Sequence, residues 1–166
     1  MRTISVSVHA GLSRRNPVRI GLGPHRVSVG IAKLDRMAAN IPEGYEDLLE
    51  RAIVGALATV GPDGVPNATP MWFAWDGTHL RFTHTKARKK IKNLQENGNY
   101  SFAITDPDNP YRYLEVRGSL DAVIADPTGA FYVELGKRYG NPDTPTPPDA
   151  ADRVILSLSA TYFGKK

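Results

Sequence analysis

Small and apolar residues alternate over Gly55–Val60, the run Gly61-Pro62-Asp63-Gly64 supplies a turn, and the alternation resumes over residues 67–75. A period of two broken by Gly, Pro and Asp marks a β-hairpin. Asp76-Gly77 makes a second tight turn, and His79, Leu80, Arg81 and Phe82 return the chain as a third strand. Three such strands in succession favour a meander or a barrel over a parallel sheet. After Thr85 the period changes: Ala87, Ile91 and Leu94 share one face, which predicts a helix of about three turns stopping at Asn97-Gly98.

Residues 100–105 read as a fourth strand, closed by Asp106-Pro107-Asp108-Asn109-Pro110, which cannot continue a ladder. The longest strand comes next over 111–125, with Leu114, Val116, Leu120, Ala122 and Ile124 on one face. Gly118 interrupts it and predicts a bulge or a sharp bend. Asp126-Pro127 has the form of a helix cap and first position, for a helix through Phe131 and Leu135 to Gly140. Residues 141–149 are proline-rich and loop-like. The sixth strand, 153–163, points Val154, Leu156, Leu158, Ala160 and Tyr162 inward. Ahead of them all, Tyr45, Leu48, Leu49 and Ile53 form a short amphipathic helix behind Pro42 and Glu43. Six antiparallel strands with helices inserted between them predict a mainly β fold, a Greek-key barrel whose ends are plugged by helices.

The chain has 166 residues, the size of one domain, and no apolar run long enough for a membrane span. It has no cysteine, which excludes disulfides and thiolate chemistry and is compatible with a cytoplasmic location. The net charge of +4 points to nucleic acid only until it is located. Residues 1–36 hold seven basic residues (Arg2, Arg14, Arg15, Arg19, Arg26, Lys33 and Arg36) against Asp35, so the remainder, 37–166, is slightly acidic. Residues 1–36 are therefore set apart as a basic leader, disordered or the product of a start placed too far upstream, although their composition also matches an organelle-targeting segment. The domain is assigned to 37–166, and a phosphate-backbone binder is not expected of it.

Candidate chemistry concentrates in residues 81–94, RFTHTKARKKIKNL. A strand ends at Thr83 and Thr85, and five cations (Lys86, Arg88, Lys89, Lys90 and Lys92) crowd the start of the predicted helix. A helix macrodipole favours acids at its start, so cations there call for a bound anion. The residues alone leave two readings open, a discrete phosphate site and a solvated basic face.

The order of these pieces resembles the pyridoxamine-phosphate-oxidase-like superfamily of FMN-binding split β-barrels: the Gly-Pro-Asp-Gly turn, PNATPMWFAWDG, the Thr-His-Thr strand end and KARKKIKNL. Lys90, Asn93 and Leu94, in a Lys-x-x-Asn-Leu pattern, and NPYRYLEVRG over 109–118 resemble its deazaflavin-dependent, F420-binding branch. The resemblance implies a homodimer with cofactor sites at the subunit interface. It implies that Arg88 and Lys90 pair with the cofactor phosphate, that Thr83 and Thr85 add hydroxyl or backbone contacts, and that Pro70, Met71, Trp72 and Phe73 lie along the ring system. Lys86 flanks the site and is assigned to a longer acidic tail. Strand alternation sends one of Trp72 and Phe73 into the core.

The implied function is an F420-dependent reductase passing hydride to a small organic substrate. An FMN-binding oxidase or flavin reductase, or a cofactor carrier without turnover, are the alternatives. The chain ends Tyr-Phe-Gly-Lys-Lys where the vitamin-B6 oxidases carry an Arg-Leu-x-Pro type tail, so a B6 substrate is disfavoured. His9, His25, His79 and His84 show no metal-ligand spacing, though His84 sits between the two threonines. Glu115 and Arg117 share a strand face and read as a solvated or interface pair. Neither a triad nor paired carboxylates emerge, which leaves catalytic residues unassigned and the chemistry to the cofactor.

Overall fold

Alternation of apolar and polar positions builds one antiparallel sheet of seven strands, in a computed structural model that describes residues 40–166. The leader assigned to residues 1–36 and the boundary at Met37 lie outside the described residues. The strands are β1 (Gly55–Val60), β2 (Pro66–Met71), β3 (Ala74–Trp75), β4 (His79–Thr85), β5 (Asn99–Thr105), β6 (Tyr113–Ala125) and β7 (Arg153–Lys165). Three helices, α1 (Asp47–Glu50), α2 (Lys89–Asn97) and α3 (Ala130–Arg138), and a 3-10 turn at Ala150–Asp152 complete them.

The strand order is β2-β1-β5-β6-β7-β4-β3. β2 and β3 lie at opposite edges of the sheet, yet only Trp72 and Phe73 separate them in the chain. The three steps from Met71 to Ala74 span at most about 11 Å even when fully extended, so the two edges must come close there and the sheet must curl. This is the split in the barrel. It corrects the strand count: the strand expected over 67–75 breaks in two at Trp72, giving seven strands, and of the expected meander or barrel the chain takes the barrel, through the hairpins β1–β2 and β3–β4.

The core fills the curl. Phe73, Phe82 and Phe102 are fully buried, and Phe102 meets each of the other two rings edge to face at 5.0 Å. Such contacts add about 0.5–1.5 kcal/mol per pair beyond area burial. Helix α2 closes one end with Ile91 and Leu94, and Asn93 Nδ2 donates to Thr59 Oγ1 on β1 at 3.1 Å. Asn93 of the Lys-x-x-Asn-Leu pattern thus anchors the helix to the sheet.

Bulges decide which side chains face inward. The β6–β7 register shifts between Arg117 and Gly118, where a Cβ on Gly118 would lie 1.8 Å from the Ser159 carbonyl oxygen. Only glycine permits that approach. On β7 the same shift leaves Thr161 unpaired, which turns Tyr162 outward and packs Phe163 against the core. A second shift, at Asp121, brings Val123 in and leaves Ile124 exposed. Ile124 and Tyr162 therefore occupy the face opposite to the one that strict alternation assigns.

The helices also begin later than expected. α1 is a single turn burying Leu48 and Leu49. In α2 the N-cap is Arg88, so Lys86 and Arg88 precede the helix. Asp126 caps α3 from a distance: after a turn through Gly129, its carboxylate accepts from the amides of Ala130 (3.0 Å) and Phe131 (3.1 Å).

Candidate functional site

Where β4 runs out beside the barrel split, a cavity of ≈ 370 Å³ opens. The volume lies within the range of small-molecule clefts. Pro70, Met71 and Trp72 wall it on the side of β2, and Thr83, His84 and Thr85 come from the end of β4. Thr83 and Thr85 share one face of β4 because they are two residues apart. Arg88 enters from the turn before α2, Tyr132 from α3, Asp149 from the loop before β7, and Arg153 from the first position of β7.

Six of the nine residues singled out in the sequence therefore border one cavity: Pro70, Met71, Trp72, Thr83, Thr85 and Arg88. Three lie elsewhere. Phe73 is in the aromatic core. Lys86 extends to Asp152, Nζ to Oδ1 2.7 Å, with both side chains largely exposed. Lys90 is buried, its Nζ 3.0 Å from His84 Nε2. The cations do not converge as a group, since the turn and the helix distribute them to solvent, cavity and interior. Arg88 is exposed and makes no ion pair among the described residues, whereas Arg153 is held by Asp149 at 2.7 Å.

The Arg153 guanidinium lies 4.2 Å from the centroid of the Tyr132 ring and donates from Nη1 to Thr83 Oγ1 at 3.1 Å. Stacking and hydrogen bonding together fix its orientation. Its cross-strand partner is Thr85, so the β4–β7 pairing itself delivers the cation to the threonines. Arg153, Tyr132 and Asp149 carry no local sequence signal, because they come from elements 49 to 70 positions beyond Thr83, and it is strand pairing that brings Arg153 to it.

The wall formed by Met71 and Trp72 is set by Tyr139. Its ring stacks on Trp72 with centroids 5.0 Å apart and planes at 15°. Its hydroxyl accepts from the Phe73 amide at 3.1 Å and donates to the Ile53 carbonyl at 2.8 Å. The same contacts that close the barrel split therefore orient the cavity's aromatic side. Burial pushes the Tyr139 hydroxyl pKa up, which keeps it protonated as a donor.

Electrostatically the cavity holds two guanidinium groups against one carboxylate, at Asp149. Burial, with the charges of Lys90, Arg88 and Arg153 adding to it, pushes the His84 pKa down to about 4 against the opposing pull of Asp149. The imidazole is therefore neutral near pH 7. Lys90 is likewise lowered, first by burial and then by Arg88. The site favours an anion and offers hydroxyl and guanidinium donors to hold it. Glu115 and Arg117 pair with each other at 2.6 Å on β6, and Ser101 also donates to Glu115.

The family model described as pyridoxamine 5'-phosphate oxidase matches residues 41–165. The chain belongs to that family. Its barrel shares the fold of a protein described as an F420 reductase, with 56% sequence identity, a TM-score of 0.72, and coverage of 75% of this chain and 98% of that one. A conserved hypothetical protein from Mycobacterium tuberculosis is 26% identical, with a TM-score of 0.62 over 77% of this chain and 86% of the other. General stress protein 26 from Bacillus anthracis, at 20% identity and a TM-score of 0.54 over 72% and 88% of the two chains, shares the fold alone. Among curated proteins none matches. As a member of the pyridoxamine 5'-phosphate oxidase family, the chain is a split barrel of an oxidoreductase-type family. No helix of the described residues is long and apolar enough to cross a membrane.

Proposed function

We propose that this protein is an F420-dependent reductase, with the cofactor phosphate held at Arg88 in the cavity beside the barrel split. The observation that carries this reading is the unpaired Arg88 guanidinium, which shares one cavity with Arg153, Thr83 and Thr85 opposite the apolar wall of Pro70, Met71 and Trp72. An anionic tail and a planar ring need that combination, cations and hydroxyls at one end and apolar surface at the other. The 56% identity to a protein described as an F420 reductase favours deazaflavin over flavin mononucleotide.

When bound, reduced deazaflavin supplies the hydride for an electron-poor small molecule, and a solvent-derived proton completes the reduction. The protein's residues bind and orient. Arg88 pairs with the phosphate, and the Thr83 and Thr85 hydroxyls donate to it. Arg153, braced by Asp149 and Tyr132, keeps the rim positive without swinging away. The stretch Pro70-Met71-Trp72 contacts the ring through its backbone and Met71, with Trp72 held by Tyr139. Lys90 supports the phosphate end from behind His84, and Lys86 is left for a longer acidic tail if its pair with Asp152 opens.

The cavity is open to solvent in one chain, and the working unit proposed is a cytoplasmic homodimer whose second subunit covers the ring. Titration of the purified chain with F420 and with flavin mononucleotide tests the reading. F420 is expected to bind at micromolar levels or better and Arg88→Ala to weaken it; absence of F420 binding at those levels refutes the deazaflavin assignment, and tighter flavin binding with a yellow protein supports the FMN alternative.

A further inference from the structure

His84 makes two ring contacts whose proton requirements conflict with an ordinary charged lysine. The Thr85 backbone amide donates to Nδ1 at 3.0 Å, so Nδ1 is an acceptor and the single proton of the neutral ring sits on Nε2. Nε2 in turn lies 3.0 Å from Lys90 Nζ. A protonated Nε2 can only donate, and an ammonium has no lone pair to accept. The contact is satisfied when Lys90 is a neutral amine. If Lys90 were charged, Nε2 would have to accept, the ring proton would move to Nδ1, and the Thr85 amide would face another N–H.

We infer that His84 and Lys90 form a proton-accepting pair that stays neutral while the cavity lacks an anion and takes up a proton when a phosphate-bearing ligand seats at Arg88. This rests on the phosphate site proposed above. The groups facing the pair are Arg88 from the turn before α2, Arg153 from β7 and Asp149 from the loop before it, two cations against one anion. Lys90 is 8% exposed, so water does little to stabilise an ammonium there. Burial and the neighbouring cations act on both partners in the same direction, disfavouring the charged forms.

An anion beside Arg88 reverses the balance. A solvent proton then adds to Lys90 Nζ, which becomes the donor to Nε2. The ring proton shifts to Nδ1, and the bond from the Thr85 amide is given up. That lost bond opposes charging of the pair in the ligand-free protein, and the new attraction to the anion offsets it. Ligand affinity is therefore linked to pH through residues behind the cavity wall.

Two measurements on the full chain decide the matter. In the ligand-free protein labelled with 15N-histidine, His84 is expected to be neutral at about pH 7, well above its depressed pKa, with its proton on Nε2; an imidazolium or an Nδ1–H tautomer overturns the pair. Calorimetric titrations with F420 and with flavin mononucleotide, in buffers of low and high ionisation enthalpy, read the proton count. Near pH 8, about two units above the second phosphate pKa, the ligand phosphate does not itself titrate appreciably. Uptake approaching about one proton per site is expected, and it should disappear in His84→Asn, whose amide oxygen accepts from a permanently charged Lys90. Binding without proton uptake, or uptake unchanged in His84→Asn, overturns the inference while leaving the phosphate site standing. Failure of both ligands to bind removes the functional reading and the inference together.

Discussion

Tyr139→Phe tests whether the barrel split and the cavity wall are one device. The substitution removes one oxygen and keeps the ring that stacks on Trp72. It leaves the Phe73 amide, in a fully buried residue, without its acceptor, and the Ile53 carbonyl, in a residue 8% exposed, without its 2.8 Å donor. Each buried group left unpaired costs about 1–3 kcal/mol, and the carbonyl tends to the lower end because it has a second lone pair. The expected loss is about 2–4 kcal/mol, a large fraction of the stability of a small domain. Tyr139→Leu removes the stacking as well, for about 0.5–1.5 kcal/mol more. Urea unfolding at fixed protein concentration is the assay, since the midpoint of a dimer depends on concentration. With an m-value of about 1–3 kcal/mol per molar for a small protein, the midpoint of Tyr139→Phe should fall by roughly 0.7–4 M with m unchanged. A loss below about 0.5 kcal/mol, within the usual effect of a surface change, would show that the hydroxyl does not hold the crossing from β2 to β3.

Three further outcomes are expected. Arg88→Ala should weaken cofactor binding by about 1.5–3 kcal/mol, the range for hydrogen bonds to charged groups, with an unchanged unfolding midpoint because the side chain is exposed; calorimetry and urea unfolding separate the two. Asp126→Ala should cost about 0.5–2 kcal/mol in thermal unfolding, because it removes the acceptor for two amides at the start of α3. The Asp106 carboxyl is held below its ordinary pKa by the Arg112 guanidinium first, then by the Asp108 amide and Arg51. Its stabilising contribution is therefore full above the unfolded value of about 3.9 and is lost as pH falls through the depressed folded value. Urea midpoints measured down the acid range should fall in the native protein and fall less steeply in Arg112→Met, which lacks the dominant partner of both Asp106 and Asp47.

Most strands were legible because a half-buried sheet writes its burial into alternate positions, and β1, β5 and the first half of β6 follow that rule. The bulge at Gly118 was legible too, since a glycine amid β-formers marks a close backbone approach. The shift at Asp121 was not, nor was the placing of the extra residue of the Gly118 shift on β7, at Thr161, because neither residue differs chemically from an ordinary strand residue. Their effect is to reverse the faces of Ile124 and Tyr162. The break at Trp72 was hidden for a similar reason: PNATPMWFAW reads as one strand, and only the curl of the sheet, which brings opposite edges together, forces the chain to leave one ladder and join another.

For the candidate site, the sequence grouped Thr83, Thr85 and Arg88, residues close in the chain that line one cavity, and assigned the remaining cations by proximity. Proximity misleads at a junction between periods. The strand reaches Thr85 and the helix begins at Lys89, so only the turn 86–88 lies between a period of two and one of 3.6. Lys86, at the start of that turn, meets Asp152 at the edge of β7; Arg88, extended at φ −73° and ψ 144°, reaches the cavity; Lys90 lies on the helix face that packs inward with Ile91 and Asn93. Three basic residues spaced two apart thus acquire three different roles. That separation leaves the exposed guanidinium to meet a ligand while the buried amine meets an imidazole, and strand pairing supplies the second guanidinium, Arg153, opposite the first. The proposed anion site thus draws its guanidinium groups from the residue before the helix and from a strand about sixty-five residues later.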